Sequence, residues 1–272
     1  MPSYVITGVS RGLGYEFLRQ YSSDPANTVI GYVRNKAATD KKVSEDADLK
    51  TRTNIHILEA DVSNYEALKS AASETAKITG GSLDYIIANA ALVSDFDGYD
   101  PIGELGPPEE VTKVAREYFD SNVIGNIHLF NLLVPLILKG NAKKVITLST
   151  GMADINFVNP FEITGGSLYA ASKAAMNMIV SKFSAQYKKD GVLFMSLSPG
   201  FVNTGHYDNL TESQAKGLAS MAAKFAAYAP HFTGMLTPEE SATAVRSVIE
   251  SVSIEKGHAG DMLSHLGNKQ WL

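Results

Sequence analysis

The 272-residue sequence contains no cysteine. That absence excludes disulfides, thiolate nucleophiles and thiolate metal sites. A long apolar run is missing too: the densest patch, Leu132 to Leu138, is far shorter than a bilayer span and is interrupted by Pro135. The chain does not open on the basic, apolar and small-residue pattern of a signal peptide, and a strand-like run, Tyr4-Val5-Ile6, begins almost at once. Positive charge is in deficit, with a net of −5 and interspersed signs. Neither a nucleic-acid surface nor strong attraction to an anionic membrane fits that balance. Repeats, low-complexity tracts and boundary-marking linkers are absent. The expectation is a single-domain, soluble, cytoplasmic protein with no nucleic-acid or membrane partner.

The six histidines (His56, His128, His206, His231, His258 and His265) show no metal-ligand spacing, so no metal site is expected. The pairs Glu109-Glu110 and Glu239-Glu240 read as charges stabilising helix starts rather than as an acid/base couple.

What the chain does have is a hydrophobic share of 44%, enough for a sizeable core. Short, unalternating apolar runs predict strands over Ser3–Thr7, Thr28–Val33, Asn54–Glu59, Tyr85–Ala88, Lys144–Ser149, Val192–Ser198 and Asp261–Ser264. Between them, helical periodicity predicts helices over Gly14–Ser22, Tyr65–Thr79, Glu109–Leu138, Ala170–Lys189 and Pro238–Val252. The last begins on Thr237-Pro238-Glu239-Glu240, with a capping threonine, a proline at the first helical position and acids in the first turn. This alternation predicts an α/β fold: a doubly wound, Rossmann-type parallel sheet of about seven strands, with helices on both faces. The loops after the strands then share one edge, where ligands bind.

Two segments break the alternation at that edge. One is 154–167; the other is 205–234, with an apolar-faced helix over about Thr211–Ala229. Both are candidates for a substrate wall or lid. The stripe Leu218, Met221, Phe225 and Tyr228 could line such a pocket, but its spacing is read as packing.

The stretch "ITGVSRGLGYEF" carries Gly8, Gly12 and Gly14 between a strand and a helix. Glycines there let the backbone bend sharply and approach a pyrophosphate, while the helix N-terminus offers free N–H groups and a positive dipole end. The spacing is T-G-x-x-x-G-x-G, and alone it serves a plain strand–helix turn equally well. A second set accompanies it. In "SLYAASKAAMN", Tyr169 and Lys173 stand four apart and so share a helical face. Asn89-Ala90-Ala91 and Pro199-Gly200 each follow a strand.

With these motifs in this order, the chain from about Tyr4 to Thr204 resembles the classical short-chain dehydrogenases/reductases, and within them fungal and carbonyl-reductase-like members. The resemblance implies hydride transfer between a nicotinamide coenzyme and a carbonyl or alcohol. Thr7, Gly8, Ser10, Arg11, Gly12, Leu13 and Gly14 would form the pyrophosphate turn. Asp61 with Val62 would meet the adenine amino group, and Asn89, Ala90 and Ala91 would close the strand beside the adenine ribose. Pro199, Gly200, Val202 and Thr204 would flank the nicotinamide.

Charge argues for the form of the coenzyme. An NAD site expects an acid at the end of the second strand. Here "GYVRNK" places Arg34 at that point, and Arg11 directly precedes Gly12. Two guanidiniums suit a 2′-phosphate that an acid would repel, so NADPH/NADP+ is expected and NADH disfavoured.

The resemblance makes Tyr169 the proton donor in reduction and the base in oxidation, with Lys173 also holding the nicotinamide ribose. Bringing a phenol down from about 10 to neutrality needs roughly 4 kcal/mol. An ammonium some 4 Å away at an effective dielectric near 20 supplies about that much. Asn122, in "YFDSNVIGNIH", matches the family asparagine that anchors a water linking the lysine to solvent.

The fourth catalytic position departs from the family. Where a second serine usually polarises the carbonyl, "VITLSTGMAD" places Thr150, with Ser149 before it. Thr150 is favoured and Ser149 is its rival. The 19 residues from Thr150 to Tyr169 exceed the common spacing. Alternatives to carbonyl reduction stay open: a retained coenzyme serving dehydration, isomerisation or cyclisation, or a non-catalytic nucleotide sensor. A small-molecule carbonyl is the expected partner, and association through the two long helices implies a homodimer or homotetramer.

Overall fold

The computed structural model describes all 272 residues. Seven strands form one sheet: β1 (Ser3–Thr7), β2 (Thr28–Val33), β3 (Ile55–Glu59), β4 (Tyr85–Ala88), β5 (Lys144–Leu148), β6 (Leu193–Ser198) and β7 (Met262–Ser264). Every pairing is parallel, in the order β3-β2-β1-β4-β5-β6-β7. The order reverses between β1 and β4, so the loops leaving these two strands diverge and open a crevice between them.

All seven expected strands are present, with ends shifted by a residue at most. Alternate residues of the central strands feed separate cores. Ile6, Ile87, Ile146 and Leu197 pack with α1 (Gly12–Tyr21) and α9 (Pro238–Ser251). Val5, Ile86, Val145 and Phe194 pack on the other face, against α3 (Tyr65–Ile78), α5 (Gly125–Ile137) and α7 (Ser167–Tyr187). Burial on both faces explains why these strands read as unbroken apolar runs rather than alternating ones.

Two helical features differ from expectation. A helix spans Lys36–Glu45, here α2, where none is predicted. It buries only Thr39, so no apolar stripe marks it in the sequence; it is nucleated by Asn35, whose side chain accepts the Ala38 N–H at 2.9 Å. The helix expected over Glu109–Leu138 is two, α4 (Pro108–Phe119) and α5, joined by a π turn at Asp120–Ile124. An added Cβ on Gly125, at the end of that turn, would stand 2.3 Å from Val62 O. Glycine lets the widened turn pack directly onto the loop after β3.

The irregular segments form a third, smaller core. Phe157, on the short helix α6 (Ile155–Val158), packs with Ile163, with Phe225 of α8 (Glu212–Tyr228) and with Trp271 near the C-terminus. Met221 and Tyr228 lie against the same cluster, so three residues of the stripe pack there, while Leu218 is not among them. Val202 bridges to Leu236, closing the base of the 205–234 excursion. No helix is long and apolar enough to cross a membrane.

Candidate active site

The glycine turn leaves β1 at Thr7. Gly8 and Gly12 hold φ of +77° and +56°, in the left-handed region where L side chains are strained. Gly14 answers a different demand: a Cβ there would stand 2.2 Å from Gly8 O, so only a glycine lets α1 begin this close to the turn. The start of α1 has no side-chain cap and no acid in its first turn, so its N–H groups remain free for an anion. Thr204 rests against the same turn, since a Cβ on Gly12 would lie 3.2 Å from it. Across the crevice, Asn89 Nδ2 donates to Thr7 O at 2.9 Å and Ala90 N–H donates to Thr7 Oγ1 at 2.9 Å. The open cradle, the positive helix end and the flanking cations fit a dinucleotide pyrophosphate.

Arg11 and Arg34 are both exposed and neither takes part in an ion pair. No acid ends β2. Glu59, at the end of the neighbouring β3, accepts the Lys36 N–H at 3.3 Å. Lys42 is a further cation here that the sequence did not single out: its Nζ donates to Ser10 O at 3.1 Å and sits 3.9 Å from the Tyr15 ring centroid. Asp61 Oδ1 accepts both the N–H and the hydroxyl of Ser63, which holds the loop after β3 in a tight turn.

Tyr169 and Lys173 lie in the first two turns of α7, as their spacing requires. Lys173 is 3% exposed, and its Nζ donates to Leu148 O at the end of β5, at 2.9 Å. The ammonium lies 5.7 Å from the Tyr169 ring centroid. Their electrostatics run opposite to the sequence expectation. Tyr169 keeps part of its surface open, yet burial, and then Tyr207, push its phenol above the usual value. Burial pushes Lys173 down to about 8. Desolvation outweighs mutual attraction because the dense packing around both groups disfavours either charge.

Asn122 sits in the π turn and is fully buried. Its Oδ1 accepts the Leu92 N–H at 2.8 Å, and its Nδ2 donates to Leu92 O and to Ser172 Oγ at 3.2 and 3.1 Å. The side chain thus ties the loop after β4 to α7.

At the end of β5 the two hydroxyls part company. Ser149 is 4% exposed, and its Oγ has no hydrogen-bond partner in the chain. Thr150 is half-buried and caps the turn Gly151–Ala153 by accepting the Met152 N–H at 3.3 Å. An accepting Oγ1 leaves its own hydrogen free to donate.

Three supports are silent in the sequence. Ser241 of α9 donates to Pro199 O at 2.6 Å. His265 fills the space beside Gly200, where a Cβ would lie 2.9 Å from its ring. Trp271 covers Gly151, where a Cβ would stand 2.5 Å from the tryptophan Cβ. His206 Nε2 lies 3.2 Å from Asp95 Oδ1. A polar cleft of about 480 Å³ between α1 and α9 lies away from these residues, and its Arg19 and Arg246 are engaged by acids.

A family profile described as short chain dehydrogenase matches residues 3–215. The chain is 58% identical over 273 residues to the short chain dehydrogenase virK of Hypocrea virens, covering 100% of both. It is 53% identical over 274 residues to the short-chain dehydrogenase/reductase iacC of Pestalotiopsis fici, again covering 100% of both. Its fold is similar to that of an NADPH-bound carbonyl reductase from chicken fatty liver, with a TM-score of 0.77 over 98% of each chain at 21% identity. It also resembles a short chain dehydrogenase from Burkholderia cenocepacia in complex with NADP, with a TM-score of 0.72 over 98% of this chain and 97% of that one at 19% identity. With a parallel seven-stranded sheet, a glycine turn at its crevice and a tyrosine–lysine pair on the helix facing β5, this chain belongs to the short-chain dehydrogenase family of oxidoreductases.

Proposed function

We propose that the protein reduces a ketone or aldehyde to an alcohol with NADPH, Tyr169 being the proton donor. The observation that carries this reading is the pairing of Tyr169 with a wholly buried Lys173 on one helical face, at the end of β5 and across from the glycine turn. A phenol whose ionisation burial resists rests in its protonated form, the state a donor needs. Bound NADPH supplies the hydride. The chain's own part is to hold the coenzyme at Gly8, Gly12 and Gly14, to polarise the carbonyl through Thr150, and to deliver the Tyr169 proton.

Thr150 is preferred to Ser149 because it is only half-buried and its hydroxyl keeps a hydrogen free to donate, whereas Ser149 Oγ is buried away from solvent. Arg11 and Arg34, unpaired at the coenzyme edge, support NADPH over NADH, as does the NADPH or NADP bound by the structural neighbours. Segments 154–167 and 205–234 supply the substrate wall.

The test is direct. NADPH fluorescence should rise on binding, and a panel of aldehydes, diketones and quinones should drive its oxidation. Tyr169→Phe should abolish turnover while binding NADPH normally. Binding without turnover on any carbonyl would overturn the reading, and an unchanged NADPH-over-NADH preference in an Arg11→Ala/Arg34→Ala variant would overturn the coenzyme assignment.

A further inference from the structure

The helix that carries Tyr169 has no cap of its own. Residue 166, at the capping position, is a glycine with φ of +68°, and the first turn holds no acid. The first N–H groups of a helix need partners when they are turned inward. Here the partner comes from far away in sequence. Asp97, on the loop after β4, is fully buried, and its Oδ2 accepts the N–H groups of Leu168 and Tyr169 at 2.8 and 3.1 Å. Its main-chain oxygen accepts the Gly166 N–H at 2.6 Å.

The other carboxylate oxygen is held as firmly. Tyr118 of α4, also fully buried, donates its hydroxyl to Asp97 Oδ1 at 2.7 Å and accepts the Ser94 N–H at 2.9 Å. The Tyr118 and Tyr169 rings lie 6.0 Å apart. The backbones interlock as well, since a Cβ on Gly165 would stand 2.8 Å from Gly98 O. Neighbours on the same loop reach the 205–234 excursion: Asp95 Oδ1 lies 3.2 Å from His206 Nε2, and a Cβ on Gly217 of α8 would stand 2.8 Å from Tyr99 Cβ.

We infer that Asp97, clamped by Tyr118, is a positioning residue for catalysis: it sets where the Tyr169 backbone sits and ties that position to the substrate-side segment. The inference rests on the reading of Tyr169 as proton donor. A buried carboxylate with three donors is a rigid anchor, because charge-assisted hydrogen bonds are short and their loss leaves a buried group unpaired. A general acid must lie within hydrogen-bond reach of the oxygen it protonates, and a displacement of about 1 Å can lower turnover about 100-fold.

The test uses the full-length protein with saturating NADPH and an aldehyde or diketone it turns over. Asp97→Ala should lower kcat by about 10- to 100-fold while the NADPH dissociation constant moves less than about 3-fold, since none of the Asp97 hydrogen bonds reaches the glycine turn or Pro199–Thr204. Asp97→Asn keeps an acceptor for the helix N–H groups and should recover most of the loss. Tyr118→Phe should show a smaller fall in kcat in the same direction. Thr237→Ala, which removes the cap of α9, is the stability control: it should lower Tm and leave kcat unchanged. An Asp97→Ala protein with wild-type kcat and only a lowered Tm would overturn the inference, as would an equal loss in NADPH binding. If Asp97→Ala does not fold, Tyr118→Phe decides, and an unchanged kcat there overturns it. A fully active Tyr169→Phe would instead refute the proton-donor reading, so the two failures are distinguishable.

Discussion

Replacing Lys173 with methionine should stabilise the coenzyme-free protein while destroying its activity. The substitution keeps an unbranched stem and removes an ammonium that is 3% exposed. Burial moves this group from 10.5 to about 8, so at pH 7 keeping it charged inside costs about 3 kcal/mol. Loss of its bond to Leu148 O offsets about 1 kcal/mol. A net gain of about 2 kcal/mol remains, equivalent to a rise of about 3–4 °C in Tm for a chain of this size. The pH dependence has a definite sign. Between about pH 8 and 10.5 the unfolded chain still binds the proton that the folded protein has released, so wild-type stability climbs relative to the variant. The gap should shrink by about 2 kcal/mol at about pH 9.5, bringing the two proteins together. Urea unfolding of both at the two pH values, with NADPH oxidation assayed alongside, measures every part of this. A variant less stable than wild type at pH 7, or a stability gap that does not move with pH, would refute the reasoning that desolvation dominates at this lysine.

Three further outcomes are expected. Gly14→Ala forces a methyl group to within 2.2 Å of Gly8 O, so NADPH affinity measured by fluorescence should fall at least about 10-fold, and unaltered affinity would contradict the close turn. Thr150→Ala should lower kcat about 100-fold and Ser149→Ala far less, a ranking that single-turnover measurements can reverse if Ser149 is the donor. Trp271→Ala removes the side chain that covers Gly151 and bonds Asp154 Oδ2 at 3.0 Å, so unfolding by urea should show a loss of about 3 kcal/mol, with KM for bulky carbonyls rising more than kcat falls.

The central strands β1, β2, β4, β5 and β6 were legible because burial on both faces leaves an unbroken apolar signature, which the half-buried edge strands β3 and β7 carry only in part. The tyrosine–lysine pair and the glycine turn were legible because their geometry is local: four residues on a helix, or a turn between a strand and a helix. Helix Lys36–Glu45 was hidden because it buries almost nothing, so no periodicity records it. The π turn at Asp120–Ile124 was hidden because it is set by contact with the loop after β3.

By itself, then, the sequence determined the parallel architecture, the placing of Gly8, Gly12 and Gly14, and the identity of the pair at 169 and 173. Those features depend on residue type and short-range spacing, which a chain carries whether or not it is folded. Tertiary structure alone decided that Asp97 caps the helix bearing Tyr169, that Trp271 roofs Gly151, and that Lys173 is held below its usual pKa range rather than Tyr169. Each of these joins segments tens of residues or more apart or depends on how completely water is shut out. Burial is a property of the assembled packing, and no single stretch of the chain encodes it.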